Sequence, residues 1–254
     1  MSLIKISSRY LDHINWVNSK GFDFVTDNKA DIWRINISSN LFFLDHFLSV
    51  MQPTEIARAN RYFQAKDKNR FIISRGALRE ILGKYLNQSP SSIEFAEGAN
   101  KKPYIKSTDK TDLHYNISHS GDWILLAIAN SEIGADTEQV NPAYHYHEVL
   151  QDNFSRDEIN YIEQGISAER FFMLWTRKEA LTKATGKGLD EYLKLIPCLD
   201  GIHLAESSVI SSTNDWLISS FELHEQYIAS LAVNTIIEEI RFFDVYFKDV
   251  TTIL

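Results

Sequence analysis

HYNISHSGDWILLAIANSEIGADTEQV, residues 114–140, is the stretch of this chain that decides the fold class. Polar and apolar side chains alternate over 114–118, which is typical of a half-buried strand. Residues 123–129 are apolar throughout and predict a buried strand, and the Ser-Gly-Asp run at 120–122 predicts a turn that joins the two into a hairpin. A further strand is predicted over 133–140.

The sequence on either side of this stretch adds helices and more strands. Apolar residues recur at helical spacing, a Ser-x-x-Glu capping box precedes a short apolar run, and glycines or a proline follow the long helices. The predicted elements are a helix at 55–86 broken by 87–90, a capped helix at 155–162, a helix at 169–185 ended by Gly186 and Gly188, and strands at 216–223 and 227–233. Because strands and helices mix without regular β-α-β alternation, we predict an α+β fold.

Composition excludes several classes of protein. The chain has 254 residues, 44% of them hydrophobic, which is enough for a sizeable core. The longest apolar run, 123–129, is too short to cross a bilayer, and the N-terminus has no signal-peptide pattern. The single cysteine, Cys198, allows neither an internal disulfide nor a thiolate zinc cluster. We therefore expect a cytoplasmic protein that does not act at a membrane.

The charge is unevenly distributed along the chain. The net charge of −8 argues against a nucleic-acid binder, because phosphate backbones attract basic surfaces. Between Arg58 and Lys84, however, eight basic residues stand against two acidic ones. This basic island indicates a small polyanionic ligand, with a solvated helix face as the equally simple alternative.

Two carboxylates on the strand at 133–140 form a candidate cation site. Side chains alternate along a strand, so Asp136 and Glu138 point to the same face. Two such carboxylates repel each other unless a positive group lies between them. Mg²⁺ is a candidate for that group, because it binds through one or two carboxylates and completes its ligands with water and phosphate. The alternative is an ordinary solvated strand face.

The long helix carries a second group of candidate residues. Trp175, Glu179 and Lys183 follow at i, i+4 and i+8 and share one helix face. By their spacing, Glu179 and Lys183 have two interpretations: a surface ion pair worth a few tenths of a kcal/mol, or functional residues. In the second interpretation Glu179 is a cation ligand or a general base, and Lys183 binds a phosphate.

The third candidate lies at the end of the strand at 114–118. Ser118 and His119 are adjacent and tend to point apart, and no G-x-S-x-G elbow is present, so a hydrolase dyad is excluded. They are either donors to a phosphate or parts of a hydroxyl-stabilised turn. The sequence also lacks a P-loop and an H-E-x-x-H zinc helix.

Taken in order, these features resemble the phosphopantetheinyl transferase family, in its long two-lobed type related to the surfactin-synthetase activator. The resemblance covers about residues 52–190. Its five motifs are a basic helix at 58–86, Lys101-Lys102-Pro103, Asn116 to Ser120, Gly134 to Glu138, and the run from Trp175 through Lys178, Glu179, Lys183, Gly186 and Gly188 to Leu189.

The resemblance implies transfer of the phosphopantetheine arm of coenzyme A to a serine of an acyl or peptidyl carrier protein, with release of adenosine 3′,5′-bisphosphate. It implies that Mg²⁺, or Mn²⁺, is held by Asp136, Glu138 and Glu179, with Glu179 and Lys183 as catalytic residues. The implied coenzyme A contacts are Arg58, Arg61, Arg70, Lys102, Pro103, Ser118, His119 and Lys183.

The resemblance also implies two similar pseudo-twofold-related lobes, each a small, mostly antiparallel sheet packed with helices. The expected N-terminal lobe, 1–131, carries the basic helix and the Ser-His-Ser segment, and the C-terminal lobe, 132–254, carries the metal carboxylates and the catalytic helix. Residues 186 to about 215 are expected to help dock the carrier. By the same resemblance, we expect a monomer.

Four residues depart from the family pattern. Ala135 and Thr137 replace bulky β-branched residues, which is expected to loosen packing by roughly 1 to 3 kcal/mol unless neighbours fill the space. Lys101 stands where the loop has glycine, which affects adenine placement, and Phe71 replaces a hydroxyl that would contact phosphate. These departures keep open a non-catalytic coenzyme A or carrier-binding homologue, and an unrelated metal-dependent phosphoesterase is a third hypothesis.

Overall fold

The computed structural model of the protein describes residues 2–18, 22–106, 112–188, 192–245 and 247. The strands are Leu3–Leu11 (β1), Val17–Asn18 (β2), Lys29–Asn36 (β3), Phe95–Glu97 (β4), Pro103–Ile105 (β5), His114–Ser120 (β6), Trp123–Ala129 (β7), Ile133–Gln139 (β8), Gly201–Glu206 (β9), Trp216–His224 (β10), Tyr227–Asn234 (β11) and Glu239–Asp244 (β12). The α-helices are Leu44–Val50 (α1), Pro53–Ala59 (α2), Ala65–Leu86 (α3), His147–Asn153 (α4), Arg156–Glu163 (α5), Ser167–Thr185 (α6) and Ser207–Ile210 (α7). Within these ranges, no helix is both long and apolar enough to traverse a bilayer.

The described strands form two five-stranded sheets and a small two-stranded one. The first sheet has the order β8-β11-β10-β1-β9, the second β2-β12-β3-β7-β6, and β4 pairs with β5. Most pairs are antiparallel, and the parallel ones involve β1 or β12. This confirms the predicted α+β class.

The two large sheets are built on the same unit. In one, β3 is followed by the short helices α1 and α2, the long helix α3 and, after β4 and β5, the hairpin β6-β7. In the other, β8 is followed by the short helices α4 and α5, the long helix α6 and, after β9 and α7, the hairpin β10-β11. The central strand orders, β3-β7-β6 and β8-β11-β10, correspond strand for strand. The chain therefore has the two similar lobes that the resemblance implied.

The terminal strands exchange between the lobes, which a division at residues 131 and 132 does not anticipate. Strand β1 lies between β10 and β9 in the sheet of the second lobe, and β12 lies beside β3 in the sheet of the first. Each fills an edge that would otherwise expose unpaired backbone groups. The apolar side chains follow the pairing, since Ile6 is buried in the second lobe and Phe243 stacks on Trp33 with ring centroids 4.5 Å apart.

The basic helix predicted over 55–86 is two helices in the structure. Helix α2 ends at Ala59, and tight turns follow in which Arg61 N donates to Arg58 O at 3.0 Å. The chain is extended at Gln64 before α3 begins. The periodicity alone did not reveal the break because basic and apolar residues continue through it. The predicted end at 87–90 is confirmed, with Asn87 left-handed at φ 50°.

The other predicted element ends are confirmed by their caps. Ser155 Oγ accepts from Glu158 N, and Ser155 N donates to Glu158 Oε2 at 2.8 Å, so both halves of the capping box form. Gly186 closes α6 at φ 70°. In the β6-β7 turn Gly121 has φ 51°, and a Cβ there would lie 2.2 Å from Tyr227 Oη.

Helix α6 lies close against β8, and this contact positions the candidate site. Ala180 and Ala184 are fully buried on the helix face that meets the sheet. Gly134 on β8 faces them, and a Cβ there would lie 2.1 Å from Ala180 O and 2.3 Å from Ala184 N. Small side chains therefore let the helix backbone approach the strand that carries Asp136 and Glu138.

Candidate functional site

The centre of the site is the ammonium group of Lys183. On α6 it lies 2.5 Å from Asp136 Oδ1 on β8 and 3.6 Å from Glu179 Oε2 one helical turn earlier. It also donates to Ser118 Oγ on β6 at 3.3 Å. The structure thus brings together the three sequence motifs that contain these residues, and the Glu179–Lys183 pair is half-buried rather than an exposed surface pair.

Two serines of β6 hold the carboxylates of β8. Ser118 Oγ donates to Asp136 Oδ1 at 2.8 Å, and Ser120 Oγ donates to Glu138 Oε2 at 2.9 Å. Because β6 belongs to the first lobe and β8 to the second, these bonds cross between the lobes. Ser118 therefore donates to a carboxylate in this structure, and its donation to a phosphate stays a prediction. The sequence did not single out Ser120 for the bond to Glu138.

The carboxylates are charged neighbours in a partly buried place. Burial first, and then the charge of Asp136, raise the pKa of Glu138 to about 7, and Glu179 adds to the effect. Burial and Asp136 likewise raise the pKa of Glu179. Burial alone would lower the pKa of Lys183, but the charges of Asp136 and Glu179 outweigh it and raise that pKa. The cluster therefore favours a bound cation, as clustered carboxylates do.

The donor atoms fit a hard divalent cation. Asp136 Oδ2 is buried and has no hydrogen-bond partner, which is an unfavourable state for a carboxylate oxygen unless a cation satisfies it. Oxygen ligands from Asp136, Glu138 and Glu179 are the type that Mg²⁺ prefers. In the described part of the chain no three His, Cys, Asp or Glu side chains are grouped closely enough as placed to form a metal site, so the three carboxylates would have to converge around the cation.

The predicted arginines lie on the first lobe. Arg58 of α2 and Arg61 just after it line a cavity of about 530 Å³ together with Thr54 and Tyr62. The guanidinium of Arg58 lies 5.1 Å from the Phe71 ring centroid. Phe71 therefore makes a cation–π contact with a cation of the basic island, at the position where the resemblance implied a hydroxyl.

Arg70 on α3 and His119 on β6 are electrostatic neighbours. Partial burial of the ring, and then the charge of Arg70, lower the pKa of His119, and Lys183 contributes in the same direction. Arg70 itself pairs with Asp67 at 2.9 Å. A phosphate bound beside His119 and Arg70 would offset the repulsion between these positive groups, because it brings negative charge, and it would raise the pKa of His119.

Two arginines of the basic island are paired within the protein. Arg75 and Arg79 both pair with Glu55 of α2, at 3.1 Å and 2.8 Å. Arg79, only 1% exposed, also donates to the carbonyls of Pro90 and Ile93. These two arginines hold α2 and the 90–93 segment against α3, so part of the local positive charge is structural.

Lys102 and Pro103 lie where two cavities meet. Both residues line a cavity of about 320 Å³ that includes Glu179 and Lys183 and a second of about 440 Å³ that includes His114 and Glu132. The ammonium of Lys102 donates to Ala184 O at 2.5 Å, and burial lowers its pKa. The predicted adenine contact would therefore be made by the aliphatic stem of Lys102 and by Pro103.

Two cations of α6 that sequence reasoning did not single out hold the segment after the helix. Arg177 and Lys178 are fully buried. Arg177 donates to Cys198 O and Asp200 Oδ1, and Lys178 to the carbonyls of Leu193 and Ile196. The signal that could have found them was the motif itself, in which they occupy the two positions before Glu179. Leu189, the last residue of that motif, lies outside the described residues.

The strand departures are accommodated by their neighbours. Ala135 and Thr137 are both fully buried, and Ala135 packs in a cluster with Leu125 and Leu231. Thr137 Oγ1 donates to Ile228 O at 3.2 Å, which satisfies its hydroxyl. The face of β8 that carries Asp136 and Glu138 is thus backed by packed neighbours.

The fold and site define a two-lobed α+β protein whose lobes meet at a carboxylate and lysine centre, with arginine-lined and lysine-lined cavities nearby. Comparison with known families agrees with this. Residues 36–131 match the model of the 4′-phosphopantetheinyl transferase N-terminal domain, and residues 132–232 match the 4′-phosphopantetheinyl transferase superfamily.

Relatives of known name point the same way. The slr0495 protein of Synechocystis, named as a 4′-phosphopantetheinyl transferase, is 32% identical over 68% of this chain and 73% of its own length. HetI of Nostoc is 27% identical over 81% of this chain and 88% of its own length. Sfp of Bacillus subtilis is 29% identical over 57% and 64%. This chain therefore belongs to the 4′-phosphopantetheinyl transferase family.

Among solved structures, a holo-(acyl-carrier-protein) synthase of Bacillus anthracis in complex with CoA (3′,5′-ADP) is 20% identical, with a TM-score of 0.34 over 41% of this chain and 96% of that one.

Proposed function

We propose that this protein transfers the 4′-phosphopantetheine arm of coenzyme A to the serine hydroxyl of an acyl or peptidyl carrier protein and releases adenosine 3′,5′-bisphosphate. The observation that carries this proposal is the meeting of Lys183, Asp136 and Glu179 beside Ser118. It joins both lobes of a family member at a single charged centre, beside a cavity that a cofactor can enter.

In the proposed reaction the carrier serine oxygen attacks the phosphorus that bears the pantetheine arm. The new bond joins serine oxygen to that phosphorus, and the bond from phosphorus to the bridging pyrophosphate oxygen breaks. Glu179 accepts the serine proton, a role that its raised pKa suits because a stronger base holds the proton better. Lys183 neutralises charge on the departing phosphate.

Asp136, Glu138 and Glu179 would hold Mg²⁺, or Mn²⁺, against the pyrophosphate. A divalent cation there supplies Lewis-acid neutralisation of the phosphate charge. The unpartnered Asp136 Oδ2 supports this assignment. Ser120 keeps Glu138 turned into the cluster, and Ser118 does the same for Asp136.

The cationic groups around the centre suit the rest of coenzyme A. Arg58, Arg61, Arg70 and His119 are placed on the first lobe, where they would receive phosphate groups, and Lys102 with Pro103 would lie against the adenine. On this proposal, residues 1–131 contribute chiefly coenzyme A contacts and 132–254 the metal ligands, apart from the exchanged terminal strands. Residues 189–191 of the expected carrier-docking stretch, 186 to about 215, lie outside the described residues.

The proposed setting is a monomer in the cytoplasm. Cys198 is buried and free, as expected where thiols stay reduced. Size-exclusion chromatography with light scattering tests the monomer, and fractionation of the source cells tests the location.

The deciding experiment is intact-mass analysis of apo carrier proteins incubated with this protein, coenzyme A and Mg²⁺. We expect a gain of one phosphopantetheine that a chelator abolishes. Glu179→Gln is expected to lower the rate by roughly a hundredfold to ten-thousandfold without changing the melting curve. Glu169→Gln, the same change at an exposed position at the start of the same helix, is the control.

Two results would count against the proposal. Full transfer by Glu179→Gln would remove the role of that residue. Coenzyme A binding with no transfer to fatty-acid, polyketide or nonribosomal-peptide carriers, under any divalent metal, would establish the non-catalytic alternative.

A further inference from the structure

A loop of the first lobe grips the end of the catalytic helix. Residues 98–102 form a tight turn in which Gly98 N donates to Lys102 O at 2.8 Å and Lys101 N to Gly98 O at 3.2 Å. Asn100 and Lys101 are both left-handed, at φ 53° and 61°. Asparagine tolerates this backbone far better than lysine does, so the hydrogen bonds of the turn hold a conformation that Lys101 disfavours.

The side chain of Asn100 reaches across to the second lobe. Its Nδ2 group donates to Gly186 O and to Lys187 O, each at 2.9 Å. Lys102 Nζ donates to Ala184 O two residues earlier. The last carbonyls of a helix have no partner within the helix. Here one loop of the opposite lobe satisfies the carbonyls of Ala184 in the last turn, Gly186 at the cap and Lys187 just beyond it.

Direct packing supports the same contact. A Cβ on Gly186 would lie 3.2 Å from the Cδ atom of Lys102, and one on Gly188 would lie 3.9 Å from the Cβ of Asn100. The loop and the glycine turn therefore touch along their length. Both also line the cavity of about 320 Å³ that Glu179 and Lys183 line.

We propose that Asn100 is a positioning residue: its amide clasps residues 186–187 and so fixes the width of the cleft between the lobes where coenzyme A binds. The proposal rests on the proposed function for the identity of the ligand. Lys183 lies only three residues before Gly186, so the clasp also sets where the end of α6 stands relative to the cavity. Asn100 itself does not contact the reacting atoms and takes no part in the chemistry.

The test compares Asn100→Gly with Asn87→Gly. Both substitutions put glycine at a left-handed position, φ 53° and 50°, but Asn87 lies at the end of α3. Because each neutral hydrogen bond contributes on the order of a fivefold change in an equilibrium, we expect Asn100→Gly to raise the KM for coenzyme A about fivefold to twentyfold. The kcat and the KM for the carrier are expected to stay within about twofold of the native values.

A second variant separates the loss of the hydrogen-bond donor from the loss of the side chain's volume. Asn100→Asp keeps the size of the side chain and its tolerance of the left-handed backbone but offers only acceptors to the two carbonyls. We expect its KM for coenzyme A to rise at least as much as that of Asn100→Gly. A native KM in Asn100→Asp would overturn the clasp.

Hydrogen exchange without any substrate gives a readout independent of catalysis. We expect faster amide exchange around residues 184–188 in Asn100→Gly, with a melting temperature no more than about 8 °C below the native value, and native exchange in Asn87→Gly. Unchanged exchange and unchanged KM in Asn100→Gly would refute the proposal. If the native protein transfers no phosphopantetheine, the proposed function fails, while the exchange experiment still decides whether the clasp exists.

Discussion

Replacing Gly134 with alanine tests how closely α6 must approach β8. The added Cβ would lie 2.1 Å from Ala180 O, whereas real Cβ contacts are essentially never under 3.0 Å, so the helix must withdraw by about 0.9 Å. The obstacle is helix backbone, which has no alternative rotamer. We therefore expect the free energy of unfolding to fall by about 3 kcal/mol, the upper end of the range for an overpacked site. A loss of this size lowers the melting temperature by roughly 6 to 12 °C.

The same displacement disturbs the site. Helix α6 carries Glu179 and Lys183, while Asp136 follows Gly134 on the strand, so the Lys183–Asp136 contact of 2.5 Å is expected to open. A misplacement of about 1 Å costs up to about a hundredfold in rate. The assay is thermal unfolding together with phosphopantetheine transfer to a carrier at a temperature where the variant remains folded.

Gly98→Ala is the control for stability. A Cβ at Gly98 would lie 3.5 Å from its nearest neighbour, an ordinary contact distance, so its melting temperature is expected to stay within about 2 °C of the native value. A Gly134→Ala protein that melts and transfers like the native one would refute the close-approach argument.

Three further predictions follow from buried or strained groups. Lys101→Gly relieves a left-handed lysine at φ 61° and is expected to stabilise the protein by about 1 kcal/mol in denaturant unfolding; no gain would mean that the turn is not strained. Lys178→Met leaves the buried carboxylate of Glu158, its partner at 3.0 Å, without a counter-charge and is expected to lower the free energy of unfolding by about 3 to 5 kcal/mol. Adding Glu158→Gln is expected to restore part of this stability, and an equal loss in the double variant would contradict the pairing. Burial raises the pKa of the Cys198 thiol, so alkylation by iodoacetamide is expected only after unfolding, and rapid labelling of the native protein would count against its burial.

Much of the local structure could be predicted from the sequence because its determinants are local. The hairpin at 114–129 follows from alternation, an apolar run and a glycine turn, and the structure has it at the predicted place. The capping box of Ser155 involves atoms three residues apart and formed as predicted. The helix break after Ala59 was missed because the polar and apolar periodicity runs through it.

The sequence named the residues of the candidate site more readily than it predicted the contacts between them. Asp136 and Glu138 share a strand face by alternation alone, and Glu179 with Lys183 share a helix face by spacing. That Ser118 and Ser120 bind those carboxylates depends on β6 lying beside β8, which no spacing along the chain encodes. For the same reason the sequence showed Arg177 and Lys178 only as members of a motif and did not predict that they hold the 193–200 segment.

The sequence by itself determined the α+β class, the main helices and strands, and, through five motifs in order, the family. Only the tertiary structure decided that β1 and β12 exchange lobes, that Lys183 stands between Asp136 and Glu179, and that Asn100 clasps the turn after α6. The physical reason is the range of the interactions. Propensity, alternation and capping act within a few residues, whereas open sheet edges, buried charges and helix-end carbonyls take partners from wherever the folded chain brings them.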